Sequence, residues 1–192
     1  MNFGVNLFPR DMLKTGEAYR SVARAAEALG YDFLSVSDHV IVPQEQNSPY
    51  PYSEDASWAG GGSGFCFEAM TAMTFLVACT ERIKVLSSVA VVPQRPVVLT
   101  AKILSSMDVL SNGRVLFGVG TGWLREEFDI METPPFTDRG QVTDEFIEGM
   151  KRLWSEDDPR YSGDFVKISN VLFSPKPLSG RIPIWVGGES NI

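Results

Sequence analysis

Short apolar runs alternate with longer helical patterns along the chain. Five runs have the length and composition of strands, and they lie at 3–7, 33–36, 83–91, 115–119 and 182–186. Four of the segments between them carry apolar residues at helical spacing, near 16–29, 67–80, 99–110 and 139–154. Strands that alternate with helices form parallel βαβ units, so this order predicts an α/β protein with a parallel sheet.

The helical spacing also predicts which side chains face the sheet. The apolar positions of the first helix are Ala18, Val22, Ala25 and Leu29. Those of the third helix are Leu99, Ile103, Met107 and Leu110. Those of the fourth helix are Val142, Phe146, Met150 and Leu153. A segment of mixed strand character follows at 165–173.

The number of strand units leaves two architectures open. A closed eight-stranded barrel of alternating strands and helices takes about 250 residues, and this chain has 192. Five strand units fit an open, doubly wound sheet by length, or else the first part of a barrel. In both cases residues 1–192 are expected to form a single domain, with a loop insertion at 40–64 after the second strand.

Charge narrows the classes of partner. The chain has 17 Lys and Arg residues against 24 Asp and Glu, a net charge of −7, and it contains no basic run. Nucleic acid and anionic membrane surfaces are therefore poor candidates, and a small molecule is the expected partner. The N-terminus lacks the features of a signal peptide, and no apolar run approaches the ~20 residues of a membrane span, which favours a cytoplasmic location.

One candidate for chemistry follows the second strand, where Asp38 precedes His39, the single histidine of the chain. Function in parallel α/β proteins gathers at the carboxyl ends of strands. A single histidine excludes a polyhistidine zinc site, and no metal is expected. An Asp-His pair at a strand end can orient an imidazole for proton transfer, or it can be purely structural.

Glycines mark two further strand ends. Gly118, Gly120 and Gly122 mark the end of the fourth strand without the spacing of a dinucleotide or P-loop motif. They permit close approach of a ligand to the backbone, although tight-turn packing is the commoner explanation of such glycines. Gly187-Gly188 ends the fifth strand, where the start of a helix would form an anion site.

Two neighbouring segments complete the predicted rim. Trp123 follows the glycines of the fourth strand and is large enough to stack on a ring system. The charges of the run 123–128, including those of Glu126 and Glu127, are interpreted mostly as a solvated helix face. The 40–64 insertion is a candidate lid, or else a mobile surface loop.

These motifs together resemble the luciferase-like monooxygenase superfamily, and within it the coenzyme F420-dependent oxidoreductases. The motifs that carry the resemblance are Ser37-Asp38-His39, Ser88-Val89, the run 118–128, Arg139-Gly140, Pro175-Lys176-Pro177 and the run 183–188. The resemblance covers essentially the whole chain. It implies a TIM-type (β/α)8 barrel, of which about the first five βα units are present.

The resemblance also implies roles for the strand-end residues. It places a cofactor ring over the carboxyl-terminal mouth of the barrel, with Ser88-Val89 as a non-proline cis peptide behind the ring. Asp38 and His39 would be catalytic, with His39 as proton donor or acceptor. Gly120, Thr121 and Gly122 would approach the ring or its side chain, and Gly187 and Gly188 would bind its phosphate. Trp123 is added to the cofactor-binding residues because its indole can stack on a ring.

The resulting hypothesis is hydride transfer between coenzyme F420 and a small organic substrate. An FMN-dependent monooxygenase is the alternative within the same family, because both cofactors present a similar ring and a phosphate. A different class remains open: a chain without catalysis that binds a flavin or a partner protein. An open-sheet protein for another phosphate ligand is a further alternative if the resemblance is set aside. Exposed strand edges in a partial barrel would favour self-association.

Overall fold

The sheet is parallel, as the alternation of strands and helices predicts. A computed structural model of the chain describes residues 1–8, 13–54, 64–131 and 133–188. Its strands are β1 (Gly4–Asn6), β2 (Phe33–Val36), β3 (Lys84–Ser87), β4 (Ala90–Val91), β5 (Val115–Gly120), β6 (Tyr161–Ser162), β7 (Lys167–Ile168) and β8 (Ile184–Val186). The main sheet has the order β1-β2-β3-β5-β8, with β4 continuing β3 along β5.

Helices cover one face of this sheet. They are α1 (Gly16–Ala28), α2 (Ala69–Cys79), α3 (Val97–Leu110), the short α4 (Arg125–Ile130) and α5 (Arg139–Ser155). The four predicted helices are thus present, and α4 is additional. None of the helices in the described ranges is long and apolar enough to cross a membrane.

The buried faces of α1 and α3 differ from the predicted ones. Tyr19, Ala23 and Ala26 are the buried residues of α1, whereas Leu29 is 77% exposed. In α3, Met107 is buried as predicted, but Leu110 is 80% exposed. The prediction for α3 failed because apolar residues lie on several sides of that helix, so apolarity alone does not identify the inward side. In α1 the apolar side is broad, and the buried residues lie towards one edge of it. The face predicted for α5 is confirmed, with all four residues buried.

The segment 165–173 is mostly irregular, contrary to its predicted strand character. Only Lys167–Ile168 is a strand, and it pairs antiparallel with Tyr161–Ser162 in a two-stranded hairpin. The hairpin lies outside the main sheet. Residues 55–63 of the 40–64 insertion lie outside the described ranges, which include 40–54 and Gly64. The predictions of a lid or a mobile surface loop at this insertion stay predictions.

The face of the sheet away from the helices is concave. Val115, Phe117 and Val119 of β5 point into the core beneath the helices, which leaves the alternate residues, including Gly118, on the opposite face. On that face the ring of Phe33 in β2 lies 5.6 Å from the ring of Trp185 in β8. In a flat sheet these strands would stand about 14 Å apart, three strand spacings. Contact between their rings therefore indicates the curvature of a barrel wall.

The sheet has an edge at each end. In the described ranges β1 pairs only with β2, and β8 pairs only with β5. Val186 on β8 is 82% exposed. These edges agree with the predicted partial barrel of five βα units.

A β-bulge separates β3 from β4. Leu86 pairs with Leu116, and Ala90 pairs with Val119. The three residues 87–89 therefore lie opposite only two residues of β5, 117 and 118. Such an extra residue redirects the strand and often lies beside a functional site. Here it places Ser88 and Val89 at the carboxyl end of the sheet.

Gly118 makes this bulge possible, and its replacement by alanine should destabilise the fold. A Cβ at this position would overlap the main-chain oxygen of Ser87 and lie 3.2 Å from Leu86. We expect Gly118→Ala to lower the free energy of unfolding by about 3 kcal/mol, the upper part of the range for overpacking. Gly140→Ala is the matched control, since its Cβ would meet nothing within 4 Å. Urea denaturation would contradict this account if the two variants had equal stability.

Candidate active site

His39 is held by a buried carboxylate at the carboxyl ends of the strands. His39 follows β2, and Glu127 belongs to α4, which follows β5. The Nδ1 atom of His39 lies 3.1 Å from Oε2 of Glu127, whose side chain is only 1% exposed. The other carboxylate oxygen accepts the main-chain N–H groups of Val40 at 2.8 Å and Ile41 at 3.2 Å. Glu127 therefore fixes both the ring and the backbone that follows it.

The charge on Glu127 determines which nitrogen of His39 carries a proton. Burial raises the pKa of Glu127, but the hydrogen bond and charge of His39 and the two amides outweigh burial and leave the pKa below its ordinary value. An ionised carboxylate only accepts hydrogen bonds, so Nδ1 of His39 must donate. Proton exchange with a ligand would then take place at Nε2.

Glu126 binds the same loop a few residues further on. Its carboxylate accepts the N–H of Asn47 at 2.6 Å, the N–H of Ser48 at 2.9 Å and the hydroxyl of Ser48 at 2.7 Å. The interpretation of the two glutamates as a solvated helix face is therefore wrong. The two carboxylates anchor the loop after β2 to the start of α4, because that loop supplies amides that no strand pairs.

The stabilisation that the hydrogen bonds of Glu126 give to the fold should depend on pH. Burial raises the pKa of Glu126, but the Ser48 hydroxyl and the Asn47 and Ser48 amides outweigh burial and lower the pKa from 4.5 to about 2. A lowered pKa in the folded state means that the stabilisation is complete above pH 4.5 and is lost as the pH falls towards 2. We expect Glu126→Gln to be less stable than the parent chain at pH 6, with the difference disappearing towards pH 2. Urea denaturation between pH 6 and pH 2 measures this difference in stability. The control is Asp129→Asn, which changes an exposed carboxyl of the same helix. A difference that does not depend on pH would refute the role of the ionised Glu126 carboxylate.

Asp38 lies beneath His39 in an ion pair. Both carboxylate oxygens accept guanidinium hydrogens of Arg95 at 2.6 Å, and one also accepts the N–H of Val91 at 2.9 Å. Arg95 reaches Glu68 as well, at 2.9 Å. The side chain of Asp38 is 0% exposed. Asp38 thus joins β2 to the end of β4 and positions the strand end that carries His39, and its predicted catalytic role stays a prediction.

Two effects act in opposite directions on this ion pair. Burial raises the pKa of Asp38, and the Arg95 guanidinium reduces that rise. Burial lowers the pKa of Arg95, but Asp38 and Glu68 outweigh it, so the net pKa of Arg95 is raised. The arginine therefore remains charged and keeps the buried acid paired.

Val89 and two glycines form a flat wall on the concave face. The Ser88–Val89 peptide bond is cis, as the resemblance implies, and the N–H of Ser88 donates to the carbonyl of Val36 at the end of β2 at 2.7 Å. A Cβ on Gly120 or on Gly187 would lie 2.6 Å from a methyl group of Val89. Val89 can occupy this place only because these two positions lack side chains.

The turn after β5 contains three of the predicted residues. Gly122 has a φ of +83°, and a Cβ there would lie 2.7 Å from both Phe128 and Val91, so glycine is required on two grounds. Thr121 is exposed. Trp123 packs edge-to-face on Tyr50 with ring centroids 5.0 Å apart. Trp123 thus contacts the loop after β2, and its predicted contact with a cofactor stays a prediction.

Gly187 continues the sheet, and its predicted contact with a cofactor phosphate stays a prediction. Its N–H donates to the carbonyl of Val119 at 2.9 Å and continues the pairing of β8 with β5, so this amide is already used within the sheet. Gly188 is exposed. Residues 189–192, where the sequence predicts the start of a helix, lie outside the described ranges. The contribution of Gly187 here is the absence of a side chain at the wall.

The structure therefore brings His39, Ser88, Val89, Gly120 and Gly187 to one end of the sheet. It adds residues that the sequence reasoning missed, namely Glu68, Arg95, Glu126 and Glu127. The adjacent glutamates just before an apolar Phe128 were the available signal. The described residues contain no cluster of three or more metal-binding side chains. A cavity of about 430 Å³ lies at the β6–β7 hairpin, lined in part by Arg160 and Lys167, away from these strand ends.

The luciferase-like monooxygenase family model matches the chain over residues 1–192, and the chain belongs to this family. One relative is an uncharacterized protein of Mycobacterium tuberculosis, 31% identical over 191 residues that cover all of this chain and 66% of that protein. Another is the FMNH2-dependent dimethylsulfone monooxygenase of Pseudomonas fluorescens, 31% identical over 174 residues, or 90% of this chain and 43% of the enzyme. The chain thus spans just under two thirds of the first relative and less than half of the second.

Solved structures share the fold at lower identity. A monooxygenase from Streptomyces bottropensis superimposes with a TM-score of 0.75 at 24% identity, covering 97% of this chain and 53% of that one. The coenzyme F420-dependent tetrahydromethanopterin reductase from Methanopyrus kandleri gives a TM-score of 0.73 at 19% identity, covering 98% and 50%. These likenesses confirm the luciferase-like α/β fold, of which this chain is a part.

Proposed function

We propose that this chain forms the first part of the active site of a flavin- or deazaflavin-dependent oxidoreductase. The favoured reaction is hydride transfer between coenzyme F420 and a small organic substrate. The observation that carries the proposal is the His39–Glu127 pair at the same end of the sheet as the wall of Val89, Gly120 and Gly187. An oriented imidazole supplies proton transfer, and a surface without side chains accepts a planar ring.

The residues fit such a ring. Side chains at Gly120 or Gly187 would displace Val89 from the wall, since each Cβ would lie 2.6 Å from it. When bound, a flavin or deazaflavin supplies the redox chemistry itself. Val89 and the two glycines would support one face of the ring, and Ser88 would hold that wall against β2.

His39 would manage the proton that accompanies the hydride. Reduction of a carbonyl or an activated double bond adds a hydride to carbon and a proton to the neighbouring atom. Because Glu127 holds the Nδ1–H group, the proton would be exchanged at Nε2. The doubly protonated imidazolium would donate this proton, and the neutral ring would accept it when an alcohol is oxidised. Asp38 and Arg95 would keep the strand end in place without touching the substrate.

An FMN-dependent monooxygenase is the second candidate. Its support is the 31% identity with the FMNH2-dependent dimethylsulfone monooxygenase over 90% of this chain. The wall and His39 suit either cofactor, because the two rings have the same planar shape.

Cofactor titration tests the proposal. The 192-residue chain would be titrated with coenzyme F420 and, separately, with FMN, and ring fluorescence would be followed. We expect one cofactor to bind, Gly187→Trp to weaken it at least tenfold, and His39→Ala to keep binding but lose turnover. Gly140→Trp, the same change at an exposed helical site, is the control. Binding of neither cofactor by this chain would refute the proposal.

A further inference from the structure

Three aromatic side chains form a cluster above the strand ends. The rings of Tyr50 and Trp123 lie 5.0 Å apart at 68°, and those of Tyr50 and Tyr52 lie 5.5 Å apart at 75°. Tyr52 is 54% exposed. We call these three residues the aromatic rim. Edge-to-face aromatic groups of this kind present ring edges and faces to a third ring.

The aromatic rim lies across the same two elements that hold His39. Tyr50 comes two residues after Ser48, whose amide and hydroxyl are bound by Glu126. Trp123 comes four residues before Glu127, which binds His39. The rim and the histidine therefore both lie where the loop after β2 contacts the turn after β5 and the start of α4. We call this contact region the joint.

The cations around this joint are already engaged. In the described ranges 40–54, 88–96, 121–131 and 133–139 they are Arg95, Arg125 and Arg139. Arg95 pairs with Asp38 and Glu68. The guanidinium groups of Arg125 and Arg139 lie 4.7 and 4.0 Å from the ring centroid of Phe136, and Arg139 also donates to the carbonyl of Gly122.

The first exposed side chains of the loop after His39 are apolar. Val40 is 45% exposed and Ile41 is 41% exposed, and both follow His39 directly. An anionic substrate loses hydration when it binds, and a cation is the strongest replacement that a side chain can offer it. Within the described part of the joint, the apolar and aromatic surface instead suits a ligand that has no charge.

We infer that the substrate of this site is an uncharged, planar, apolar organic molecule bound by Tyr50, Tyr52 and Trp123. This inference rests on the proposed function and names its substrate class. The rim would bind the ring of the substrate, and Val40 and Ile41 would exclude water beside His39. The wall of Val89, Gly120 and Gly187 would remain for the cofactor.

Calorimetric titration with matched probes tests the inference. 2-Naphthol is the neutral probe, and 2-naphthoate carries the same rings with a negative charge. We expect 2-naphthol to bind at least tenfold more tightly than 2-naphthoate. Tyr50→Leu and Trp123→Leu should each weaken 2-naphthol at least fivefold, whereas Trp123→Phe should retain most of its affinity. Tyr31→Leu, which removes a tyrosine that is 39% exposed at the end of α1, is the control.

Parallel titration with FMN and coenzyme F420 separates this inference from the proposed function. If a cofactor binds but the rim variants leave 2-naphthol binding unchanged, the substrate class is wrong and the proposed function stands. Equal or tighter binding of 2-naphthoate overturns the inference, and so does a Trp123→Leu variant that loses only cofactor. If 2-naphthol binds through the rim while neither cofactor binds, the apolar site is supported and the proposed function fails.

Discussion

Arg95→Met should lower the free energy of unfolding by about 3–5 kcal/mol, the range for breaking a buried ion pair by removing one partner. Arg95 is the only cation within bonding distance of Asp38 in the described chain, and the side chain of Asp38 is 0% exposed. Methionine fills the space of the arginine stem but leaves the carboxylate buried and unpaired. Glu68 would lose its partner too, although its side chain is 40% exposed. Urea denaturation at pH 7 measures the loss.

The pH dependence of that variant identifies the cause. Burial raises the pKa of Asp38, and removal of Arg95 takes away the group that opposes the rise. A raised pKa in the folded state gives stability that is present at low pH and lost as the pH rises through that pKa. The deficit of Arg95→Met should therefore shrink on acidification, and Arg95→Met combined with Asp38→Asn should recover part of it at pH 7. The control is Arg160→Met, which breaks an exposed ion pair with Asp158 and should lower the free energy of unfolding by less than about 1 kcal/mol. A similar loss of stability for both arginine variants would disprove the role of burial.

Glu127→Gln should reduce turnover about 10²–10⁴-fold, the usual contribution of a positioned acid or base. The amide of glutamine would offer an N–H group where the carboxylate accepted one, so His39 would be held in the opposite tautomer. Because Glu127 acts through His39, cofactor affinity should stay within a few-fold of the parent chain while kcat falls. Glu126→Gln is the neighbouring control and should retain most of the turnover at pH 7.

His39 allows a direct spectroscopic check of this prediction, because it is the single histidine of the chain. Chemical shifts of ¹⁵N-labelled histidine report which ring nitrogen carries the proton. The parent chain should show the tautomer protonated at Nδ1, and Glu127→Gln should shift the population towards Nε2. An unchanged tautomer together with lost turnover would mean that Glu127 acts by some route other than orienting His39.

The sequence predicts the strand units and the end of the sheet that carries the site, but not the contacts that hold it. In α5 a single apolar face identifies the buried side, and all four residues of that face are buried as predicted. In α3 apolar residues lie on several sides. Leu99 and Leu110 are exposed because the side that carries Ala101 and Leu104 packs into the core instead. Hydrophobic periodicity is informative only where the other side of the helix is polar.

The side-chain contacts around His39 could not be predicted from the sequence for a different reason. Asp38 and Arg95 are 57 residues apart, and His39 and Glu127 are 88 residues apart. No local spacing rule connects positions so distant in sequence. Glu127 was interpreted as solvated because charged helix residues usually are, and only its burial shows that it belongs to the site.

The two glutamates that anchor the loop after β2 bind mainly main-chain N–H groups, those of Val40, Ile41, Asn47 and Ser48. Every residue type except proline supplies such a group. The loop can therefore exchange its side chains, and with them its ligand preference, while His39 keeps its place. For enzyme engineering this makes the stretch between the anchors, residues 42–46, a natural site for library design, provided that proline is kept out of the four anchored positions.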